Sequence, residues 1–302
     1  MTPSTGAGEV LLPIREVTRQ TGVHPVTLRA WERRYGLIQP ERSSKGHRLY
    51  TVAHIEQIRA VLGWLERGVA VGQVRRLLDE PKVLAGPNHD HWRQQQHLWL
   101  QCLAQLSEVR LDERFNELSA LYPANTLYRQ LLQPLLAHVN QQAAHSSGQR
   151  LEQVCLLTWL RSRLALAVQQ TNRLQPHAPV LLINLSDASL QVDSWLCAWL
   201  LSQAGCSVQV LDGPIAVAEW AAAAQRLQAQ VVVLHAVKAL DLTYLQRGVE
   251  RLGCPALLCG EACLIHHEQL QVCRGLALAQ TPLQAIDVLQ RLGWIECRAG
   301  EA

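Results

Sequence analysis

Between Ile14 and Tyr50 eight basic side chains, Arg15, Arg19, Arg29, Arg33, Arg34, Arg42, Lys45 and Arg48, stand against three acids, Glu16, Glu32 and Glu41. The chemistry such a set performs is electrostatic: guanidinium and ammonium groups that take anionic oxygens, phosphates above all. The 302-residue chain carries a formal net charge of only +3, so the positive field belongs to this stretch and the remainder is close to neutral. A run of charge is ordinarily just a solvated face. Here its spacing argues otherwise, because a glycine turn, an aromatic-containing helix and a basic turn follow one another in the order of a DNA reader.

The elements that must hold these side chains are short. Ile14 to Gln20 reads as a helix with Ile14 and Val17 inward, and Gly22 lets a second helix cross it. Pro25 suits the first turn of that second helix, since its missing N–H has no partner there anyway. From Pro25 to Arg34, Leu28 and Trp31 share one face and leave Thr27, Arg29, Arg33 and Arg34 outward, the pattern of a recognition helix. Ser43-Ser44-Lys45-Gly46 turns a basic hairpin. Thr51 then caps a helix to about Arg67 with Ile55, Ile58, Leu62 and Leu65 along one stripe, Gly68 ends it, and Val71 to Leu78 forms a fourth helix. Pro81, Gly86, Pro87 and Asn88 break the pattern between Asp79 and Asp90, which reads as a linker.

TLRAWERRYGLIQP followed by GHRLYTVAHIEQI resembles the winged helix-turn-helix of the MerR family of transcription regulators over about the first eighty residues. The resemblance implies that residues matching Arg29, Trp31 and Tyr35 approach DNA and that Gly46-His47-Arg48-Leu49-Tyr50 forms a wing gripping the backbone. The expected DNA-contacting set is Arg15, Thr27, Arg29, Trp31, Arg33, Arg34, Tyr35, Arg42, Lys45, His47, Arg48 and Tyr50. Within it, Arg29 and Arg33 are expected nearest the bases, with Arg34, Arg42, Lys45 and Arg48 on phosphates.

Other classes fit less well. No apolar run reaches the roughly 18 residues needed to cross a bilayer, and MTPSTGAGEVLL lacks the basic start and apolar core of a secretion signal, so a cytoplasmic protein is expected, and the family resemblance implies the bacterial nucleoid. Nine scattered cysteines do not form a disulfide framework. Cys254, Cys259 and Cys263 with His266 and His267 suggest a zinc site, but Cys254 and Cys259 fall on opposite faces of an apolar strand and no C-x2-C knuckle occurs. Neither a G-x-S-x-G elbow, nor a phosphate-binding G-x-x-x-x-G-K-[ST] loop, nor G-x-G-x-x-G after a strand is present, so an enzyme is not expected.

The expected architecture is multidomain: a winged helix-turn-helix over 1–80, a four-helix bundle over 91–171, and over 178–295 an α/β doubly wound parallel sheet close to flavodoxin. The bundle helices read as Trp92 to Val109, Asp112 to Leu121, Asn125 to Ala144 and Gln149 to Gln170, with Pro134 kinking the third or starting a new segment. Strands read as Val180 to Leu185, Ser207 to Leu211, Val231 to His235, Ala256 to Cys259 and Gly275 to Leu278.

A bundle and a doubly wound domain behind such a reader resemble the cobalamin-binding regulators of the MerR family. Tyr122-Pro123-Ala124-Asn125-Thr126-Leu127 adds a likeness to its MlrA-type subgroup, which activates biofilm-matrix genes. The resemblance also marks a departure. The family's [DE]-x-H-x-x-G pattern, counted back from Ala204-Gly205, falls on Ala188, Leu190 and Asp193, and an alkyl side chain at 190 has no lone pair for cobalt. The Trp-x9-Glu-His pattern of the light sensors is missing as well, with Ala143, Gln153 and Val154 in its place. Neither a cofactor nor a metal is therefore expected, and His235 reads as a structural histidine; the alternative is a MerR-type regulator responsive to cobalamin or another small ligand, sensing light or a metabolite. Expected partners are promoter double-stranded DNA, a second copy of the chain in a homodimer, and RNA polymerase or a signalling protein. Trp195, Trp199 and Trp220 are candidate dimer anchors.

Overall fold

The computed structural model describes residues 11–79, 89–144, 147–174, 178–186, 191–213, 215–271, 273 and 275–295. It divides into two compact units between Gln153 and Val154.

The first unit opens with β1 (Leu12–Pro13), α1 (Ile14–Thr21) and α2 (Pro25–Ala30), which runs into a π turn over Trp31–Tyr35. The hairpin strands β2 (Glu41–Arg42) and β3 (Arg48–Tyr50) form a small antiparallel sheet in the order β1-β3-β2. Next come α3 (Val52–Glu66) and α4 (Val71–Asp79). Thr51 caps α3 as its position suggests: its hydroxyl takes the His54 N–H at 3.3 Å, and the His54 ring takes the Thr51 N–H at 3.0 Å in return. The core of this part is Val17, Leu28, Trp31, Ile55, Ile58, Val61, Leu65, Val74 and Leu77.

The helical region of the same unit contains α5 (His89–Ala104), α6 (Glu108–Ser119), α7 (Ala124–Leu127), a second π turn (Tyr128–Leu132) and α8 (Gln133–Ala143). The single helix expected from Trp92 to Val109 is two. At the end of α5 the N–H of Ser107 bonds the Cys102 carbonyl (3.0 Å) and that of Leu106 the Leu103 carbonyl (2.9 Å), a Schellman closure that puts Leu106 at φ 50. Ser107, not Asp112, then precedes α6. Pro134 does begin a new segment: it stands in the first turn of α8, where it forfeits no hydrogen bond, and the π turn before it absorbs the change of pitch.

The division between units falls inside α9 (Ser147–Asn172). The second unit continues with β4 (Val180–Asn184), α10 (Asp193–Gln203), β5 (Val208–Leu211), α11 (Val217–Leu227), β6 (Val231–His235), α12 (Leu242–Arg251), β7 (Ala256–Cys259), α13 (Ala262–Ile265), α14 (His267–Leu270), β8 (Leu276–Ala279) and α15 (Pro282–Arg291). All five strands are parallel in the order β5-β4-β6-β7-β8, the flavodoxin-like winding. The central strands β4, β6 and β7 are buried throughout, which is why they read as unbroken apolar runs rather than alternating ones. Leu181, Ile183, Val232, Leu234 and Leu258 pack with Trp220 and Leu245, from α11 and α12. At the edge, the Asn172 amide donates to the Val208 carbonyl at 2.7 Å and accepts its N–H at 2.9 Å, tying down the open backbone of β5.

Trp199 and Trp220 are 4% and 2% exposed, so neither serves as a dimer anchor; both are core. Trp195 is half-buried. No helix of the described residues is long and apolar enough to cross a membrane.

Gly248 lets α12 approach α11: a Cβ there would lie 2.5 Å from the Trp220 ring and 2.8 Å from Val217. Alanine favours a helix by about 1 kcal/mol over glycine, but displacing a buried indole outweighs that. Gly248→Ala is expected to destabilise the second unit by about 1–3 kcal/mol in urea denaturation.

Candidate nucleic-acid interface

Gly22, at φ 70, closes α1 by donating its N–H to the Thr18 carbonyl, and His24 caps α2 by accepting the Val26 N–H at 3.3 Å. These two joints set the crossing of α1 and α2. The wing tip is held from within: the Ser43 N–H reaches the His47 carbonyl (2.8 Å), the Gly46 N–H the Ser43 carbonyl (2.8 Å), and the His47 N–H the Ser43 hydroxyl (3.1 Å). Gly46 takes φ 79, a conformation that disfavours side chains.

Across the hairpin Arg42 and Arg48 are directly paired, a placement that by itself repels. Glu32, from the π turn, resolves it. One carboxylate oxygen accepts from Arg42 Nη2 at 3.2 Å and the other from Arg48 Nε. That bond holds the Arg48 pKa above its already high value, so the guanidinium stays cationic.

Of the expected contact residues, Arg15, Arg29, Arg33, Arg34, Arg42, Lys45 and His47 are exposed, and Tyr35 and Arg48 are half-buried. An open cleft of about 440 Å³ is lined by Arg29 of α2, by Ser43, Gly46, His47, Arg48 and Leu49 of the wing, and by Pro13 and Ile14. Thr27, Trp31 and Tyr50 must be withdrawn from the contact set, being 3%, 0% and 1% exposed. Thr27 and Trp31 face the core rather than the outer face of α2. Tyr50 closes β3 edge-on to His54, with ring centroids 6.1 Å apart, and burial raises its pKa. Glu32 is the residue that sequence reasoning passed over. Its signal was an acid midway along the arginine-rich turn, but the cross-strand pairing that gives it a purpose is visible only in the fold.

The reader is anchored from behind. Trp31 donates its indole N–H to the Leu121 carbonyl at 2.9 Å. Next in the chain, the buried Tyr122 hydroxyl accepts the Val71 N–H at 3.2 Å and lies 3.1 Å from His91 Nε2; burial pushes its pKa up to about 12. Trp92 donates to the Gly68 carbonyl at 2.9 Å and its ring lies 4.8 Å from that of Tyr122. Asn125 and Gln130 both reach Glu66. The Tyr122 to Leu127 segment is thus the seat on which α3 and α4 rest.

The family model described as MerR HTH family regulatory protein matches residues 12–81. The HTH-type transcriptional regulator MlrA of Salmonella typhimurium is 34% identical over 202 residues, covering 67% of this chain and 79% of that protein. The chain belongs to the MerR family. It is a MerR-type helix-turn-helix transcriptional regulator. The HTH-type transcriptional repressor CarH of Myxococcus xanthus is 27% identical over 135 residues, 40% of this chain and 44% of that one. A cobalamin-binding protein from Desulfitobacterium hafniense DCB-2 aligns with 66% of this chain and 98% of its own at 14% identity and a TM-score of 0.33.

In this MerR-family chain the second unit has a flavodoxin-like sheet, and several described polar residues at its carboxyl end are engaged within the protein. Asp212 is consumed within the protein: it accepts from Arg161 Nη2, from the Trp195 indole at 2.7 Å and from Asn184 Nδ2 at 3.2 Å. His235 is 1% exposed and pushed down to about 4 by burial, so it is a neutral imidazole within the sheet. Asp193, where the resemblance asks for glycine, is the exposed first residue of α10; Ala188 and Leu190 lie outside the described residues. Two members of the cysteine and histidine set are engaged elsewhere: Cys263 donates to the Leu258 carbonyl at 3.3 Å, and His266 accepts the Leu240 N–H at 2.9 Å.

Replacing Trp31 with Phe preserves most of the packing and removes the donor, leaving the Leu121 carbonyl unpaired in a dry contact. Trp31→Phe is expected to cost about 1–3 kcal/mol of the first unit's stability, read by chemical denaturation.

Proposed function

We propose that this protein is a sequence-specific DNA-binding regulator that recognises an inverted-repeat promoter element as a homodimer, independently of cobalamin. The observation that carries the reading is the convergence of Arg29, His47 and Arg48 on one cleft, flanked by exposed Arg33, Arg34, Arg42 and Lys45. A reader of this size buries little surface alone, whereas two copies on half-sites gain affinity and set the operator spacing. The segments 1–80, 91–171 and 178–295 serve as reader, helical connector and α/β module. The last supplies the surface for the second copy or for a protein partner such as RNA polymerase or a signalling protein. The cytoplasm, on the nucleoid, is the corresponding location, and no catalytic role is assigned.

Selection of duplexes from a random library, followed by salt titration, tests the DNA reading. Two inverted half-sites are expected. Lys45→Ala should reduce the slope of log affinity against log salt by roughly one. Arg29→Ala should cost about 1–3 kcal/mol at one base position while sparing random duplex. Unchanged binding in both variants would overturn the assignment.

Titration with adenosylcobalamin, in the dark and after illumination, tests cofactor independence. No stoichiometric shift of the visible bands is expected; a shift saturating at one equivalent would contradict it.

A further inference from the structure

The wing arginines are held in place by an acid that DNA itself would repel. Glu32 is 16% exposed at its side chain, against 54% for Arg42 and 20% for Arg48, so its charge is incompletely screened by solvent. We propose that Glu32 is a positioning residue that gives the wing its discrimination between operator and random DNA, at the expense of general affinity. The proposal rests on the DNA-binding reading above.

Three geometrical facts lead there. Arg42 and Arg48 face each other across β2 and β3, and without a counter-charge the two cations would move apart into many rotamers. Each carboxylate oxygen of Glu32 takes one of them, through Nη2 of Arg42 and Nε of Arg48, which leaves the remaining guanidinium donors unspent and in fixed directions. Glu32 also belongs to the same turn as Trp31, which is anchored at Leu121, so the wing is registered against the recognition helix through a buried and immobile point.

Two consequences follow from the charges. The trio carries a net +1, where the arginines alone would carry +2, so a phosphate arriving in an arbitrary position meets a weakened field. A phosphate placed where the free donors of both arginines converge meets preorganised partners and incurs no ordering cost. The carboxylate therefore lowers affinity everywhere and lowers it least at the geometry imposed by a correctly docked recognition helix.

Glutamine at this position keeps the size of the side chain but offers one acceptor and one donor. The amide N–H2 would face an arginine donor, releasing one guanidinium and raising the local charge to +2. With a duplex selected by the wild-type protein and a random duplex as probes, Glu32→Gln is expected to bind random duplex more tightly. Its salt slope on that duplex should be steeper by roughly one. The ratio of operator to random affinity should fall about tenfold. A merely structural role would weaken both probes together and leave the slope alone; that result, or an unchanged ratio, overturns the proposal. Adding Arg42→Gln to Glu32→Gln should return the slope to the wild-type value with discrimination still reduced. This double variant removes the like-charge pair and so supplies the test if Glu32→Gln alone fails to fold; wild-type discrimination in it would overturn the proposal. If the wild-type protein selects no duplex over random DNA, the DNA reading falls and this proposal with it. Wild-type selection combined with an unaltered Glu32→Gln ratio removes the proposal alone.

Discussion

An indole N–H is costly to bury without an acceptor, and the acceptor that Trp31 finds organises the first unit. Trp31 sits at the start of the turn that carries the arginines, is wholly buried, and finds its acceptor ninety residues away at Leu121. The reader's core is therefore completed by a segment distant in the chain. Tyr122 and Trp92 extend the same logic to Val71 and Gly68, where the α3–α4 junction exposes backbone groups that need partners. A recognition helix held in this way presents its arginines from a rigid support, and rigidity is what base reading demands of side chains as long as arginine.

On the solvent side of the same turn the dominant effect changes from desolvation to charge. Six of the arginines and lysines of the helix and wing are confined to a few turns of chain, and their mutual repulsion works against a two-stranded wing that has little packing of its own. The structure meets this with a single carboxylate, cross-strand registry and a tip knitted by its own backbone, rather than with a larger core. The second unit shows a different economy: at the sheet's carboxyl end one carboxylate, Asp212, gathers Arg161, Trp195 and Asn184.

Much of this was legible in the residues. The five parallel strands fell within a residue or two of their observed limits, because buried apolar runs bounded by glycine and polar turns leave few alternatives. The helix-turn-helix was legible from Gly22, Pro25 and the Leu28–Trp31 stripe. What escaped was decided by geometry rather than composition. Thr27 looked outward by helical parity and lies inward beside Leu28, where threonine is small enough to pack. Trp31 and Tyr50 entered the contact set through the family resemblance but are core: Trp31 follows the inward stripe that its spacing with Leu28 had indicated, and Tyr50 packs edge-on to His54. The break at Leu106 was hidden because leucine rarely takes a left-handed conformation, and nothing local announces that Ser107 will start the next helix.

The π turn at Trp31–Tyr35 imposes a condition on length as well as on chemistry. A π turn holds about one residue more than the α turn it replaces, and each residue advances a helix by roughly 100°. Removing or adding one residue among WERRY would leave Trp31 in its seat and swing Glu32, Arg33 and Arg34 to another side of the axis, or hold the arginines and tear the indole from Leu121. Point changes at the exposed Arg33 and Arg34 are free of that penalty. Among descendants of this sequence the count of residues in the segment is thus expected to stay fixed even where its letters change, so that gaps in an alignment would collect after α4 and not here.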